Sequence, residues 1–261
     1  MRTQMIPFLK REVLCVFPEQ PASLAEAIST LGLEDSYPVV VLIGGAISDQ
    51  HAVVTQQAIQ TLATIAEDIN ALVICGGTDM GVMAEIGQAR WRNGHKFPLI
   101  GITPEAMVTW PDGPRNTKFL WWGKQRWMLA RHYTHFILVP GSKFGDESSW
   151  IVDIATLLSR HHRSVTVLIN GGSVSRKDID LSVANGRPVI ALGGTGRLAN
   201  DLVGEPNRHQ LISVVPAYVE CQVNEAIRAA LSGTEKSAPQ SASLGVAVIM
   251  AGMAQITHPI R

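Results

Sequence analysis

Five continuous apolar segments, each followed by glycine and small polar residues, dominate the pattern of this chain. They cover residues 39–43, 71–75, 136–139, 165–169 and 188–192. Continuous apolar segments are typical of parallel strands that are buried on both faces, whereas a half-exposed strand alternates. Because the carboxyl ends of parallel strands meet at one edge of a sheet, we expect the glycine turns to gather at that edge, where open α/β sheets bind ligands.

Helical periodicity separates these segments. Apolar residues recur every three to four positions over residues 50–69, which predicts a long helix capped by Ser48 or Asp49. Further helices are predicted over residues 23–31, up to Arg92, and over 147–160, 176–184 and 217–231, and further strands over 12–17, 98–102 and 211–215. This alternation predicts an α/β fold with a doubly wound, mainly parallel sheet and helices on both faces.

Residues 103–127 form a long connection without clear periodicity. The connection is rich in aromatic and cationic side chains, which are Trp110, Arg115, Lys118, Trp121, Trp122, Lys124, Arg126 and Trp127. Long loops in compact domains are often functional. One hypothesis is that this loop folds over a ligand, with a tryptophan stacked on a base and a cation near phosphate. The alternative is a packed surface loop or an oligomer contact.

The C-terminal residues 234–261 begin with small polar residues and turn apolar over 244–254. That apolar segment is too short to span a bilayer as a helix. We therefore predict a single domain over residues 1–233, followed by a tail over 234–261 that packs on the domain or on a partner subunit. The second arrangement would make the protein a homo-oligomer.

Composition narrows the class of protein. The chain has 261 residues and is 46% hydrophobic, enough for a large core. Its 22 basic and 22 acidic residues balance, so charge offers no case for nucleic acid or an anionic membrane as a partner. The three cysteines lack metal-binding spacing, and Cys75 is predicted to be a small buried residue. This sparse, odd cysteine count and the lack of a signal-peptide apolar stretch predict a cytoplasmic location.

The turn at residues 76–83 has the sequence Gly-Gly-Thr-Asp-Met-Gly-Val-Met and lies between a predicted strand and a predicted helix. Glycine lets backbone approach a ligand closely, and a helix N-terminus presents unpaired N–H groups and a positive dipole end. The turn fits neither the dinucleotide-binding nor the P-loop fingerprint. It predicts either an anion site or a tight corner that binds nothing.

Several stretches together, in order, carry a family resemblance. They are Cys75-Gly76-Gly77-Thr78 with Gly81-Val82-Met83, Ile100-Gly101-Ile102, Thr134-His135-Phe136-Ile137-Leu138-Val139, Lys143-Phe144-Gly145-Asp146-Glu147 and Gly194-Thr195-Gly196-Arg197-Leu198-Ala199-Asn200-Asp201. This succession resembles the prokaryotic branch of the LSDAT family, in the SLOG superfamily, the bacterial counterpart of the N-terminal cytosolic region of melastatin-type TRP channels. The resemblance implies a Rossmann-like fold and a ligand-sensing site for a nucleotide or a nucleotide-derived molecule such as ADP-ribose.

The expected ligand site consists of residues in the glycine turns. They are Gly44, Gly45, Gly76, Gly77, Thr78, Met80, Gly81, Gly141, Ser142, Gly171, Gly172, Ser173, Gly194, Thr195, Gly196 and Arg197. The Thr78 hydroxyl is suited to donate to phosphate or, alternatively, to cap the helix. The Arg197 guanidinium is suited to pair bidentately with phosphate, and the alternative is a salt bridge with Asp201.

Catalysis has one candidate residue. SLOG relatives of the "Lonely guy" type hydrolyse nucleoside monophosphates at the N-glycosidic bond and carry the pattern P-G-G-x-G-T-x-x-E. Here the similar region is Pro140-Gly141-Ser142-Lys143-Phe144-Gly145-Asp146-Glu147, in which Glu147 falls out of register. We therefore expect a nucleotide-binding sensor, with a nucleotide N-glycosidase or an oligomeric interaction scaffold as alternatives. The spacing of His132 with His135, and of His161 with His162, predicts no metal site.

Overall fold

The computed structural model describes residues 1–8, 11–33, 37–115 and 125–232. Its strands are β1 (Arg2–Phe8), β2 (Arg11–Phe17), β3 (Val39–Gly44), β4 (Leu72–Cys75), β5 (Leu99–Pro104), β6 (Val108–Thr109), β7 (Trp127–Met128), β8 (His135–Val139), β9 (Ser164–Ile169), β10 (Val189–Gly193) and β11 (Ile212–Pro216). Its α-helices are α1 (Leu24–Thr30), α2 (Ala52–Asp68), α3 (Gly81–Arg92), α4 (Ser148–Leu158), α5 (Ser173–Ala184), α6 (Arg197–Asp201) and α7 (Glu220–Leu231).

Nine of these strands form one sheet in the order β1-β2-β8-β5-β4-β3-β9-β10-β11. The pairing is parallel throughout, except that β1 runs antiparallel to β2 at one edge. The predicted doubly wound, mainly parallel sheet is therefore confirmed. The edge strand β1 was not predicted, because it is largely exposed and contains Pro7, which an edge strand tolerates.

Helices cover both faces of the sheet. On β3, Val40 and Leu42 pack in the cluster that contains side chains of α2, α3 and α7. Val39 and Val41 point to the opposite face, into the cluster with side chains of α1 and α4. Since successive residues of a strand face opposite sides, coverage of both faces explains why the apolar segments are continuous.

The order of the strands reverses between β3 and β9. From β3 the chain continues outward through β4, β5 and β8, and after returning to β9 it continues in the other direction through β10 and β11. The helix after β3, α2, packs on one face, whereas Ile179 of α5, the helix after β9, packs in a separate cluster with Ile43 and Leu168. The connections after β3 and β9 leave the sheet toward different faces. A crevice therefore opens between the carboxyl ends of these two strands.

Two helices begin three residues away from the predicted position. Helix α5 begins at Ser173 and not at residue 176, and α7 begins at Glu220 and not at residue 217. The first turn of α5 has one apolar side chain, Val174, among Ser173, Ser175 and Arg176, so apolar periodicity could not reveal it. The consequence for the site is that Ser173 is the first helical residue after Gly172.

Aromatic residues pack the described part of the long connection between β5 and β8. Trp110 is buried, with its ring centroid 6.1 Å from that of Phe17, and Trp127 meets Phe144 edge-on at 5.1 Å. Lys118, Trp121, Trp122 and Lys124 lie outside the described residues, as does the predicted tail over 234–261. The division into a domain and a tail stays a prediction. None of the helices in the described ranges has the length and apolar character needed to cross a membrane.

Candidate functional site

Asn170 joins the turns that follow β3, β9 and β10. Its side-chain Oδ1 accepts a hydrogen bond from the Gly45 N–H at 2.9 Å, and its Nδ2 donates to the Ala46 carbonyl at 3.1 Å. Its own N–H donates to the Thr195 hydroxyl oxygen at 2.8 Å, and that hydroxyl donates to Leu192 O at 2.7 Å. Asn170 is buried and has φ = 53°, a left-handed conformation that asparagine tolerates better than most residues. The predicted site omitted Asn170, although an asparagine before two glycines is a signal of this geometry.

Two of the predicted glycines are required by backbone packing. A β-carbon built on Gly44 would lie 2.6 Å from the Ile169 carbonyl oxygen and 2.8 Å from a Val82 methyl group. Gly81 has φ = 51°, and a side chain there would overlap the Gly45 carbonyl. The close approach of β3, β9 and the start of α3 is therefore possible only with glycine at these positions.

Three backbone N–H groups of the turn at residues 76–83 donate hydrogen bonds to carbonyl oxygens of the protein. Asp79 N–H donates to Met128 O at 2.7 Å, Met80 N–H to Thr78 O at 2.8 Å, and Val82 N–H to Gly45 O at 3.1 Å. Helix α3 has Met80 at its N-cap without a side-chain cap, so Thr78 does not cap it. Within the described ranges the Thr78 hydroxyl makes no hydrogen bond, and it lines the cavity described below. The Thr78 hydroxyl is therefore a polar group of this turn that is available to a ligand.

Arg197 lies beside the crevice. β-Carbons built on Gly45 and Gly172 would lie 3.0 and 2.5 Å from its guanidinium nitrogens, so the guanidinium rests directly on both turns. Its side chain is exposed, and in the described part of the chain it forms no ion pair with Asp201. Because α5 begins immediately after Gly172, the cation lies next to the N-terminus of that helix. This arrangement is suited to an anion.

A side chain accepts the hydrogen bonds of two backbone N–H groups in the turn before Arg197. Asn200 Oδ1 accepts hydrogen bonds from the Gly194 N–H at 2.7 Å and from the Gly196 N–H at 3.1 Å. Gly194 and Gly196 have φ of 95° and 93°, so they shape the turn that presents Arg197. Their amides are occupied, and the guanidinium is the polar group of this turn that remains for a ligand.

A cavity of about 310 Å³ opens at the carboxyl edge beside the crevice. Side chains of β3, α3, α4 and α5 and of the connection before β8 surround it. Its lining residues are Val41, Leu42, Ile43, Gly44, Ala46, Gly76, Thr78, Met80, Met83, Trp127, Phe144, Glu147, Ile151, Val174, Ser175 and Asp178. The lining is mostly apolar and contains no arginine or lysine among the described residues.

The predicted residues divide into three groups. Gly44, Gly76, Thr78, Met80 and Glu147 line the cavity. A second group borders the crevice near Arg197 and consists of Gly45, Gly171, Gly172, Ser173, Gly194, Thr195, Gly196 and Arg197 itself. The remaining four are turned elsewhere: Gly77 packs on Gly101, Gly81 on Gly45, and the Gly141–Ser142 turn is closed by Asp146, whose Oδ2 accepts the Ser142 N–H at 2.8 Å.

Glu147 and Asp178, here called the carboxyl pair, line the same cavity. Glu147 precedes α4, is 6% exposed, and accepts a hydrogen bond from the Gly145 N–H at 2.6 Å. Burial raises the pKa of Glu147 to about 7, and the negative charges of Asp178 and Asp146 act in the same direction. The hydrogen bonds from backbone N–H groups oppose this shift without cancelling it.

Asp178 lies in the second turn of α5 and is 8% exposed. Burial raises the pKa of Asp178 to about 6, against the opposing effects of the Ser148 hydroxyl and the Lys177 charge. Its Oδ1 is buried and has no hydrogen-bond partner among the described residues. The sequence analysis missed Asp178, because Arg176, Lys177 and Asp180 around it make the segment look like a solvated helix face.

Perturbed pKa values on two carboxyl groups in one cavity are typical of functional sites. A carboxyl group that titrates near neutral pH is able to donate or accept a proton, and both of these groups face an apolar space that a small molecule would fill. Within the described ranges, no three His, Cys, Asp or Glu side chains are grouped as a metal site requires.

The fold and the crevice together define a doubly wound α/β protein whose candidate site lies at the switch point of its sheet. The family model LSDAT_prok, described as SLOG in TRPM, prokaryote, matches residues 37–233. The chain therefore belongs to this family, as its motifs predicted. None of the curated proteins matches the chain.

Solved structures resemble the fold. The X-ray structure of TM1055 is 18% identical, with 74% of this chain and 99% of that chain covered, at a TM-score of 0.53. A molybdenum cofactor binding protein from Rippkaea orientalis is 17% identical (74% and 96% covered, TM-score 0.49), and the molybdenum cofactor carrier protein of Chlamydomonas reinhardtii is 19% identical (74% and 95%, TM-score 0.47). The TM1055 likeness shows a shared fold; the other two are too distant to bear on function.

Proposed function

We propose that this protein binds a nucleotide-derived ligand across the crevice between β3 and β9. In this proposal the phosphate lies against Arg197 and the start of α5, and the ring enters the cavity. The observation that carries the proposal is the cavity itself, which adjoins these glycine turns at the switch point of the sheet.

Support for the phosphate end comes from Arg197. Its guanidinium rests on Gly45 and Gly172, and no acidic side chain of the described residues neutralises it. A planar guanidinium beside a helix N-terminus matches the geometry and the charge of a phosphate group. The Thr78 hydroxyl would supply a further donor from the other side of Gly44.

Support for the ring end comes from the shape and the chemistry of the cavity. Its volume of about 310 Å³ lies within the range of small-molecule sites, roughly 300–1,000 Å³. Trp127 and Phe144 offer aromatic surfaces, and Met80 and Met83 offer adaptable apolar ones. A flat heteroaromatic ring would bury apolar surface there while its polar edge met the few polar groups of the lining.

Isothermal titration calorimetry against ADP-ribose, NAD, AMP, ATP and cyclic nucleotides tests this function. Binding of at least one of these ligands to wild type, weakened in Arg197→Ala and unchanged in Arg92→Ala, is the expected result. Arg92 is an exposed arginine at the far end of α3 and serves as the matched control. A folded sample that binds no member of the panel would overturn the proposal.

A second candidate function is hydrolysis of a nucleotide at its N-glycosidic bond, and Glu147 is the observation that favours it. A carboxyl group with a pKa of about 7 in a ligand-sized cavity is suited to general acid–base catalysis. Incubation with AMP and related nucleotides, followed by chromatography, would then yield free base and ribose phosphate. Glu147→Gln should abolish that turnover and retain binding, whereas binding without turnover across the panel would leave the protein a sensor.

A further inference from the structure

The carboxyl pair has no role in binding phosphate or in burying an apolar ring surface. We propose that Glu147 and Asp178 recognise the polar edge of a guanine-type or pterin-type ring, in which a carbonyl, a ring N–H and an amino group lie side by side. This inference rests on the proposed function and adds to it the chemical class of the ring.

Both carboxyl groups belong to residues that line the cavity in which the ring would bind. Glu147 enters the cavity from the start of α4 and Asp178 from the second turn of α5, and both are more than nine-tenths buried. Trp127 and Phe144 line the same cavity and provide faces on which a ring would stack. One cavity thus holds both the aromatic faces for the ring plane and the two carboxyl groups for the ring edge.

The hydrogen-bonding capacity of the pair is only partly filled, by the Gly145 N–H that donates to Glu147. Asp178 Oδ1 has no partner among the described residues, and the lining includes no cation from them. The nearby Lys177 instead donates to the Gly145 carbonyl. Because a buried carboxylate without donors is costly, a ligand that supplies donors at this point gains specificity as well as affinity.

The donor and acceptor pattern selects among rings. An ionised carboxylate only accepts hydrogen bonds, and its two oxygens match the two parallel N–H groups of an amidine-type edge. A protonated carboxyl group donates one hydrogen bond, which suits the carbonyl next to that edge. Glu147, whose pKa is raised by burial and by the charge of Asp178, is assigned as the donor, and Asp178, whose Oδ1 has no hydrogen-bond partner among the described residues, as the acceptor. Adenine presents a ring nitrogen that accepts where guanine donates, and would leave the Asp178 carboxylate facing another acceptor.

Calorimetric titration of wild type with GMP, IMP, AMP and unphosphorylated pterin tests the inference. IMP keeps the carbonyl and the ring N–H of GMP and lacks only the amino group. We expect affinities in the order GMP, IMP, AMP, with GMP at least about tenfold tighter than AMP, the scale on which a polar site rejects a mismatched edge. Asp178→Asn should remove that preference, whereas Asp180→Asn, an exposed position on the same helix, should retain it.

The outcomes separate this inference from the proposed function. Equal binding of GMP and AMP would overturn the proposal that the carboxyl pair recognises the ring edge, and would leave the proposed nucleotide binding intact. Binding of pterin without binding of any nucleotide would support recognition of the ring edge and overturn the proposed nucleotide binding. Absence of binding by all four ligands would overturn the inference. The wild-type series decides the question even if Asp178→Asn fails to fold.

Discussion

Glu147, immediately before α4, and Asp178, in α5, line one cavity, and the negative charge of Asp178 helps to raise the pKa of Glu147. Acidic groups that interact this way avoid being ionised together, so the pair holds a proton near neutral pH. In the glycine turns, Asn170 and Asn200 accept hydrogen bonds from the N–H groups of Gly45, Gly194 and Gly196. Among the described residues of the site, the carboxyl groups therefore lie in the cavity, and the Arg197 guanidinium lies beside the crevice.

Replacement of Arg197 tests the phosphate end. Arg197→Ala should weaken binding of the best ligand of the panel by about 1.5–3 kcal/mol, the range for hydrogen bonds to charged groups. Arg197→Lys should recover only part of this loss, since an ammonium lacks the bidentate fork. Thermal stability should change little, because the side chain is exposed. Equal affinity of wild type and both variants in calorimetry would remove Arg197 from the site.

Replacement of Glu147 should change the pH dependence of stability. Its pKa is about 7 in the folded protein and lower in the unfolded chain, so the folded state binds the proton more tightly. Its contribution to stability is present at acidic pH and is lost as the pH rises through about 7. Glu147→Gln should therefore gain stability over wild type as the pH rises, by about 3 kcal/mol at most from a shift of roughly 2.5 pKa units.

Urea unfolding between pH 5 and 8 measures that difference. The charged groups that act on Glu147 are Asp178 and Asp146, and Lys177 acts in turn on Asp178, so all three must be retained in the variant. Glu225→Gln, at an exposed position of α7, is the control and should follow wild type at every pH. A constant difference between wild type and Glu147→Gln over this range would contradict the buried, protonated Glu147.

Asn170 should be important for the crevice for two separable reasons. Asn170→Ala removes the hydrogen bonds to Gly45 and Ala46 and places alanine at φ = 53°, so we expect a loss of roughly 2–4 kcal/mol in the free energy of unfolding. Asn170→Gly removes the same hydrogen bonds without the conformational strain and should recover about 1 kcal/mol of that loss. Equal stability of the two variants in urea unfolding would show that the left-handed backbone carries no cost here.

The apolar tail provides a test of assembly. If residues 244–254 pack on a second subunit, analytical ultracentrifugation should show the full chain as an oligomer and a truncation after Gly233 as a smaller species. Binding of the best nucleotide should survive the truncation, because the crevice and the cavity consist of residues before the tail. If both forms sediment as monomers, the scaffold alternative and the predicted homo-oligomer are wrong.

The order of elements was predictable because it depends on local patterns. The five apolar segments all became strands of one sheet, in which β5 separates β8 from β4, and their glycine turns lie at its carboxyl edge. Cys75 is buried at the end of β4, as predicted. In contrast, β1 and the first turn of α5 were not predicted, because each has too few apolar residues to show a clear period.

The class of fold, the family and the positions of sharp backbone bends were predictable from the sequence, because periodicity and glycine act over a few neighbouring residues. Which turns meet was not predictable in this way. Folding brings Asn170 against Gly45, pairs the N–H groups of Asp79 and Val82 with Met128 and Gly45, and places Asp178 in the same cavity as Glu147. These outcomes depend on strand order and helix packing between residues far apart in the chain, and burial, which sets the pKa of both carboxyl groups, is a property of that packing alone.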